Sequence, residues 1–367
     1  MTPTPSLLSQ DDPQAVRDVL RDYYGKHLQS SADLSQKACC TDDIQARFRP
    51  IMSALPDEVV ARHYGCGCPV PLDDLEGLTA LDLGSGAGVD VFVLSKLVGP
   101  SGHVHGVDMT AEQLEVARRN APVVAERFGF ARPNVTFHEG YIETCDAIAD
   151  ASIDLVISDC VVNLSPRKDL VLGAIRRVLK EGGEFYISDI VADRRVPERI
   201  ANDPEMIAEC LGGALYEHDF MDAIKDAGFL DPRVVERKVL QTEALGIPIV
   251  FSSVTVRAQK FSRPLDRRCE DYGQTATYLG TFSGCPARYV YDDHHVFERG
   301  RPTPVCRNTA RMLSETRLAK GFQVSAPLQH FGLFDCSPRP GGALLAASFQ
   351  LANPAPQAAP AKAGGCC

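Results

Sequence analysis

Thirteen cysteines are the side chains of this sequence with the widest range of chemistry. Their odd number argues against complete disulfide pairing, and in a reducing compartment such residues serve more often as thiolates for metal binding, redox chemistry or catalysis. Four of them form two close pairs, Cys39 with Cys40 in a polar loop and Cys66 with Cys68 in the segment HYGCGCP. These four could ligate zinc, or they could be small buried thiols in turns, and the sequence leaves both interpretations open.

A glycine-rich turn lies between a predicted strand and a predicted helix. Gly84, Gly86 and Gly88 follow the apolar run that contains Asp82, and the next predicted strand ends at Asp108. Glycines let a ligand approach the backbone closely, and nucleotide-binding folds hold a ribose with an acid at the end of the second strand. The spacing G-x-G-x-G resembles the S-adenosylmethionine site of seven-stranded methyltransferases. A dinucleotide site and a tight turn without a ligand are the alternatives.

Two further cysteines follow elements that are expected around this turn. Cys160 comes directly after the predicted strand 153–158, and Cys210 lies in a helical segment that ends at Gly212 and Gly213. Ligands of open α/β sheets bind outside the carboxyl ends of the strands. Cys160 is therefore expected beside the cofactor crevice, although a thiol in this position can also be plain packing.

The elements that must position these residues alternate between strand and helix patterns. We predict a Rossmann-like α/β fold with a seven-stranded sheet, in which two late strands, near 234–240 and 250–261, form a hairpin at the sheet edge. A helix that begins at Asp12 and Pro13 is expected to cover the main domain as a lid. We predict four parts: an N-terminal lid (1–75), a methyltransferase domain (76–262), a small C-terminal domain (263–336) and a flexible tail (337–367).

Composition excludes several classes of function. The net charge is −10, which makes nucleic acid an unfavourable partner. The sequence has no apolar run of membrane-spanning length and no basic, apolar leader at its start, so we expect a cytoplasmic protein.

The C-terminal part carries further side chains that can bind metals. His294 and His295 lie near Cys285 and Cys306, but neither cysteine has a partner at zinc-finger spacing, so we interpret all four as structural residues. The Ala- and Pro-rich tail is predicted to be flexible and ends in the exposed pair Cys366 and Cys367.

Several segments together resemble arsenite S-adenosylmethionine methyltransferases. They are LQSSADLSQKACC, RHYGCGCP, LDLGSGAGVD, GVDMT, GYIE, SDCVVNL, ECLGGALY, EDYGQTATYLGTF, DDHHVFERGRPTPVC and NTARML. SDCVVNL and ECLGGALY discriminate best, because generic small-molecule methyltransferases lack both of their cysteines. The resemblance extends from about residue 28 to residue 331.

The resemblance implies roles for individual residues. Cys66, Cys160 and Cys210 would bind trivalent arsenic, and Cys39 would join a disulfide relay with Cys66. The additional residues Cys40 and Cys68 leave open which member of each pair acts. The residues implied in cofactor binding are Tyr64, Asp82, Gly84, Ser85, Gly86, Gly88, Asp108, Met109, Tyr141 and Ile142.

The resemblance also implies a function. The protein would methylate arsenite and then methylarsenite with S-adenosylmethionine, and would thereby detoxify arsenic. Soft thiolates suit soft trivalent arsenic, and thioredoxin or glutathione would restore the relay thiols. We expect a monomer without nucleic-acid or membrane partners. The alternatives are a methyltransferase for an organic acceptor such as a quinone or sterol, and a zinc- or metalloid-binding protein without catalysis.

Overall fold

The structure is a computed structural model that describes residues 12–28, 48–65, 67, 69–240 and 248–336. Its α-helices are α1 (Pro13–Asp22), α2 (Arg49–Met52), α3 (Asp57–Val60), α4 (Val89–Val98), α5 (Ala111–Phe128), α6 (Lys168–Val178), α7 (Glu198–Ala201), α8 (Pro204–Ala208), α9 (Glu217–Asp226) and α10 (Arg307–Ser314). Its strands are β1 (Thr79–Leu83), β2 (His103–Asp108), β3 (Val135–Glu139), β4 (Ile153–Asp159), β5 (Leu179–Ala192), β6 (Leu215–Tyr216), β7 (Arg233–Val239), β8 (Phe251–Gln259), β9 (Glu270–Asp271), β10 (Gln274–Tyr278), β11 (Arg288–Val290), β12 (Val296–Glu298), β13 (Pro302–Val305), β14 (Phe322–Val324) and β15 (Gly332–Leu333). Within these ranges, every helix is too short or too polar to cross a bilayer.

One large sheet carries the fold, with strand order β3-β2-β1-β4-β5-β8-β7 and the two-residue strand β6 paired to β5. Strands β1 to β5 pair in parallel, whereas β8 runs antiparallel to both β5 and β7. The predicted α/β fold is confirmed. Apolar residues fill both faces of the sheet, as expected when helices cover a parallel sheet on each side.

The predicted hairpin of the two late strands is confirmed. Strands β7 and β8 pair in antiparallel fashion at one edge of the sheet, with β8 next to β5 and β7 outermost. Part of the predicted connection between them, 241–247, lies outside the described residues. Helix α6 ends at Val178, and strand β5 begins directly after it at Leu179.

The N-terminal helix α1 packs onto the main body through a narrow apolar stripe. Asp12 begins it as predicted, because its side chain accepts a hydrogen bond from the Ala15 N–H at 3.1 Å. Val16 and Leu20 are buried against Ala208 of α8. The predicted covering helix is thus present, and a π-helix, Tyr23–His27, continues it.

A network of buried charges joins the C-terminal part to the large sheet. Glu184 of β5 accepts a hydrogen bond from Arg257 of β8 at 2.5 Å and also pairs with Arg317. Arg317 reaches Asp73 before β1, and the Tyr289 hydroxyl donates to the same carboxylate at 2.8 Å. Burial acts to raise the pKa of Glu184, but the charges of Arg257 and Arg317 outweigh burial and lower it. Each charge of the network thus offsets the cost of burying its partners, and the removal of one charge would leave another buried and unpaired.

We predict that Glu184→Gln destabilises the protein strongly. The substitution leaves the buried guanidinium of Arg257 without its carboxylate, and breaking a buried pair typically costs about 3–5 kcal/mol. Urea unfolding of the full-length protein measures the change. Asp169→Asn, which removes an exposed pair with Arg167, is the matched control and should cost at most about 1 kcal/mol. Equal losses in the two variants would contradict a structural role for the network.

Candidate active site

The glycine-rich turn after β1 lines a cavity that opens to solvent. Gly84 and Gly86 both have positive φ, at 72° and 49°. A Cβ atom on Gly84 would lie 2.4 Å from a methyl carbon of Val161, whereas one on Gly86 would meet no atom within 4 Å. Gly84 therefore allows two loops to approach each other, and Gly86 leaves space for a ligand at the backbone.

Asp108, the last residue of β2, holds this turn in place. One of its carboxylate oxygens accepts a hydrogen bond from the Gly86 N–H, and the other accepts one from the Thr110 N–H, both at 2.8 Å. Burial raises the pKa of Asp108, and these backbone donors counteract the rise. The carboxylate is fixed in orientation at the cavity wall.

Five acidic residues line the same cavity: Glu143, which pairs with Arg17, and the aspartates Asp82, Asp90, Asp108 and Asp159. Burial, together with the charges of the other three aspartates, raises the pKa of Asp82 well above its usual range. Burial also raises the pKa of Asp90. Neighbouring buried carboxylates repel each other, and a bound positive charge would relieve that repulsion. The aspartate-lined side of the cavity is therefore suited to a cationic ligand.

Two cysteines meet at the edge of the cavity, and both have a strained backbone. Cys160 follows β4 and Cys210 follows α8, and their φ angles are 57° and 63°. Both side chains are buried, and the Cys210 thiol donates to the Cys160 carbonyl oxygen at 3.1 Å. Residues other than glycine seldom adopt left-handed backbone, and such strain is concentrated at functional sites. Two strained cysteines in contact therefore indicate a thiol site.

A third side chain completes this group. The Cys160 and Cys210 sulfurs and a carboxylate oxygen of Asp189 lie within 4.8 Å of one another. Burial raises the pKa of Asp189 to about 6, although the backbone N–H groups of Asn163 and Ile190 donate to it. Cys160 is disulfide-bonded.

The covering helix closes the other side of the cavity. Arg17, Leu20 and Tyr24 line the cavity from this helix and the π-helix after it. The Arg17 guanidinium donates to Glu143 at 3.1 Å and lies 4.6 Å from the centre of the Tyr141 ring. These contacts hold the helix over the cavity without filling it.

Comparison with known proteins identifies the family. Residues 74–228 match the family described as Methyltransferase domain, and residues 272–367 match Arsenite methyltransferase C-terminal domain. The arsenite methyltransferase of Aquipseudomonas alcaligenes is 47% identical over 330 residues, which cover 87% of this chain and 94% of that protein. This chain belongs to the arsenite methyltransferase family. The Mus musculus arsenite methyltransferase is 38% identical over 382 residues, which cover 98% of each chain.

A solved structure supports the same assignment. The arsenic (III) S-adenosylmethionine methyltransferase from Chlamydomonas reinhardtii is 42% identical, with a TM-score of 0.75, and the match covers 79% of this chain and 99% of that chain. The protein is therefore an S-adenosylmethionine-dependent arsenite methyltransferase. The dinucleotide alternative and the alternative of a non-catalytic zinc protein are wrong.

The structure brings most of the expected site residues of this methyltransferase together. The cavity is lined by Tyr64, Asp82, Gly84, Ser85, Gly86, Asp108, Met109, Tyr141, Ile142 and Cys160. Gly88 lies just behind the lining, where it precedes helix α4, and Cys210 contacts Cys160. Cys39 and Cys66, with Cys40 and Cys68, lie outside the described residues.

Sequence reasoning missed several residues around the cavity. Asp189 was not singled out, although it lies near the carboxyl end of β5, where the rule used for Cys160 applies equally. The imidazole of His63 and the carboxylates of Asp90 and Asp159 also lie within 4.8 Å of one another. All three lie in segments that carry the family resemblance, but these segments are far apart in the sequence, and their spacing carried no signal of this contact.

The potential ligands of the C-terminal part do not form the single group that their sequence suggests. His294 and His295 lie with Asp292, whereas Cys306 lies with Cys269 and Cys336. Cys285 instead lies 3.7 Å from the Tyr278 hydroxyl. The cysteines near Cys306 come from distant parts of the chain and not from a zinc-finger spacing.

We predict that Gly84→Ala is more destabilising than Gly86→Ala. Both force alanine into left-handed backbone at about 1–2 kcal/mol, but only Gly84→Ala adds a collision with Val161, worth about 1–3 kcal/mol more. Denaturant unfolding without cofactor measures the difference. Adding Val161→Ala should recover part of the loss in Gly84→Ala and none in Gly86→Ala. The same effect of Val161→Ala in both backgrounds would contradict the proposed collision.

Proposed function

We propose that this enzyme methylates arsenite and then methylarsenite, with the arsenic bound by thiolates of Cys66, Cys160 and Cys210. The observation that carries the proposal is the contact between Cys160 and Cys210, both in left-handed backbone at the cavity edge. Left-handed backbone at two adjacent thiols is the kind of local strain that is concentrated at functional sites. Cys66 is proposed as the third ligand because the family resemblance implies it.

The cavity fits S-adenosylmethionine better than the other ligands considered. The bound cofactor supplies an electrophilic methyl group on a positively charged sulfur. The carboxylates of Asp82, Asp90, Asp108 and Asp159 complement that positive charge. The open space beside Gly86 accommodates a ligand that touches the backbone. Both features support a sulfonium-bearing nucleoside in this cavity.

We assign the ribose hydroxyls to Asp108. Both carboxylate oxygens of Asp108 already accept one backbone N–H each, which leaves further lone pairs for hydroxyl donors. Tyr64, Met109, Tyr141 and Ile142 provide the larger apolar surfaces of the cavity wall. These residues would hold the flat and apolar parts of the cofactor, as the family resemblance implies.

The thiolates position the substrate. Soft sulfur ligands suit trivalent arsenic, and three of them leave one lone pair on arsenic for the methyl carbon. Because arsenic has no proton to lose, the transfer needs no general base and depends mainly on alignment. The rigid backbone around Cys160 and Cys210 supports this alignment, since the Cys160 N–H is also bonded to the Ser188 carbonyl at 2.8 Å.

A disulfide relay would return arsenic to its trivalent state. Methylation formally oxidises arsenic by two electrons, and two thiols supply two electrons when they form a disulfide. We propose that Cys39 and Cys66 take this part and that thioredoxin or glutathione reduces them again. Because Cys160 is disulfide-bonded, reduction must also precede arsenic binding at that residue. The cellular outcome of these steps would be arsenic detoxification by a cytoplasmic monomer.

We predict that Asp108→Ala weakens S-adenosylmethionine binding at least about tenfold, because an unpaired hydroxyl in a site built to bind it costs about 1–3 kcal/mol. Arsenite binding should change little, because Asp108 is not part of the thiol group. Titration calorimetry with each ligand separates the two effects. Asp146→Ala, at an exposed acid outside the cavity, is the matched control. Unchanged cofactor affinity in Asp108→Ala would remove Asp108 from this role.

A second prediction separates the roles of the thiols. Cys160→Ser and Cys210→Ser should abolish methylation of both arsenite and methylarsenite. Cys39→Ser and Cys66→Ser should abolish only arsenite methylation, because methylarsenite has just two positions left for thiolates. Speciation of the arsenic products after reaction with each substrate measures this difference.

Equal losses on both substrates in all four variants would contradict the division of roles. Full activity of Cys160→Ser and Cys210→Ser would refute arsenic binding at this pair. Cys145→Ser, at a buried free thiol outside the cavity, is the control for the loss of a cysteine as such.

A further inference from the structure

Three cysteines from distant parts of the chain meet in the C-terminal part of the protein. The sulfurs of Cys269, Cys306 and Cys336 lie within 4.8 Å of one another. All three are free thiols, and none of them lines the methyltransferase cavity. The group is therefore separate from the site proposed for methylation.

The secondary structure holds each cysteine in place. Strands β9 and β15 pair in antiparallel fashion, and this pairing continues as the Phe334 N–H donates to the Cys269 carbonyl at 2.7 Å. Cys336 follows two residues later. Cys306 caps helix α10, where its sulfur accepts a hydrogen bond from the Thr309 N–H at 3.4 Å. Regular backbone pairing and a helix cap thus fix the geometry of the group.

One cysteine of the group is buried and two are partly exposed. Cys306 is fully buried, whereas Cys269 and Cys336 are half-buried. A ligand can therefore approach from the side of Cys269 and Cys336 and complete its coordination on Cys306. This combination of a buried anchor and an open side is what a binding site requires and what plain packing does not.

Polar groups surround the Cys306 sulfur. A guanidinium nitrogen of Arg233 lies 3.8 Å from this sulfur, and the Thr309 hydroxyl lies 3.3 Å from it. The thiolate is the form of cysteine that binds metals, and a neighbouring positive charge favours that form.

The charge of Arg233 is already balanced. It donates to Asp231 at 2.7 Å and to Asp292 at 3.4 Å, and it also lies 3.3 Å from a ring nitrogen of His294. An anionic metal complex beside this set would face two carboxylates. The surroundings therefore favour a ligand whose complex with three thiolates is neutral.

We propose that Cys269, Cys306 and Cys336 form a second site for trivalent arsenic, which binds arsenite without methylating it. Arsenite, As(OH)₃, reacts with three thiols to form three As–S bonds, and its three hydroxyl groups leave with the thiol protons as three water molecules. No electron is transferred, so arsenic stays trivalent. The resulting complex is neutral, as the surroundings require.

Coordination number distinguishes arsenic from zinc. Trivalent arsenic is complete with three sulfurs, because its lone pair occupies the fourth position. Structural zinc needs four ligands, and in the described part of the chain this group contains three candidate ligands. The complex of three thiolates with zinc would also carry a net charge of −1, and that with copper(I) a net charge of −2. Both complexes would be repelled by the carboxylates of Asp231 and Asp292.

Binding stoichiometry tests the proposal. The reduced, full-length protein is dialysed against arsenite, and the bound arsenic is measured per chain. The reductant is a phosphine, because a thiol reductant would itself bind arsenite. We expect each of three variants to lose one equivalent of bound arsenic or to bind it at least about tenfold more weakly: Cys269→Ser, Cys306→Ser and Cys336→Ser. Even residues that only support the ligands of a metal site change its affinity by that factor. Cys285→Ser, at a half-buried cysteine in the same part of the chain, should bind as much as the unchanged protein.

The same measurement in a Cys160→Ser/Cys210→Ser background keeps this proposal separate from the proposed methylation site. There the methylation site is disabled, and Cys306→Ser should still remove one equivalent. X-ray absorption spectroscopy of arsenic in this background should show three sulfur neighbours, and Cys306→Ser should lose that signal. Serine can still cap α10, and the half-buried positions Cys269 and Cys336 provide two further variants if Cys306→Ser does not fold.

Two outcomes would overturn the proposal. The first is equal arsenic binding by the unchanged protein and all three cluster variants. The second comes from dialysis against zinc alone. If the protein binds one zinc ion that depends on the three cysteines, but binds no arsenite that depends on them, the site belongs to a different ligand.

Discussion

The site depends on one constraint, which is that the carboxyl ends of parallel strands meet at the same edge of a sheet. β1, β2, β4 and β5 all run in the same direction, and the chain leaves them at Gly84, Asp108, Cys160 and, near the end of β5, Asp189. A ligand at this edge can touch the backbone of a glycine-rich turn, a fixed carboxylate and a thiol at once. The fold thereby joins cofactor binding and thiol chemistry in one cavity.

The thiols are placed there at the expense of local stability. Left-handed backbone costs about 1–2 kcal/mol for each residue other than glycine, and both Cys160 and Cys210 adopt it. Contacts in the surrounding core offset this cost. Both side chains are buried among apolar residues, and the side-chain amide of Asn163 donates to the Ile190 carbonyl at 2.6 Å. Strain and rigidity together suit a pair of ligands that must keep their geometry while the substrate changes.

The C-terminal part is bound to the methyltransferase sheet by charge as well as by apolar packing. Glu184 and Arg257 lie in the sheet, and Arg317 reaches them from the C-terminal part. Arg233, at the start of β7, makes a second such link by reaching Cys306 and Thr309. The proposed second arsenic site thus lies at a junction between the two parts, where ligand binding would add to the contacts that hold them together.

The sequence by itself determined the fold class, the glycine-rich turn with Asp108, and the positions of Cys160 and Cys210, because these features depend on local patterns and short motifs. It also determined the family, because SDCVVNL and ECLGGALY are specific segments. Only the tertiary structure decided that β8 lies between β5 and β7, that Asp189 joins the two cysteines, and that Cys269, Cys306 and Cys336 meet. These contacts join residues up to 67 positions apart within one cluster, from 269 to 336. Such proximity arises from strand pairing and from packing between distant segments. Local patterns and the spacing of residues along the chain therefore cannot predict it.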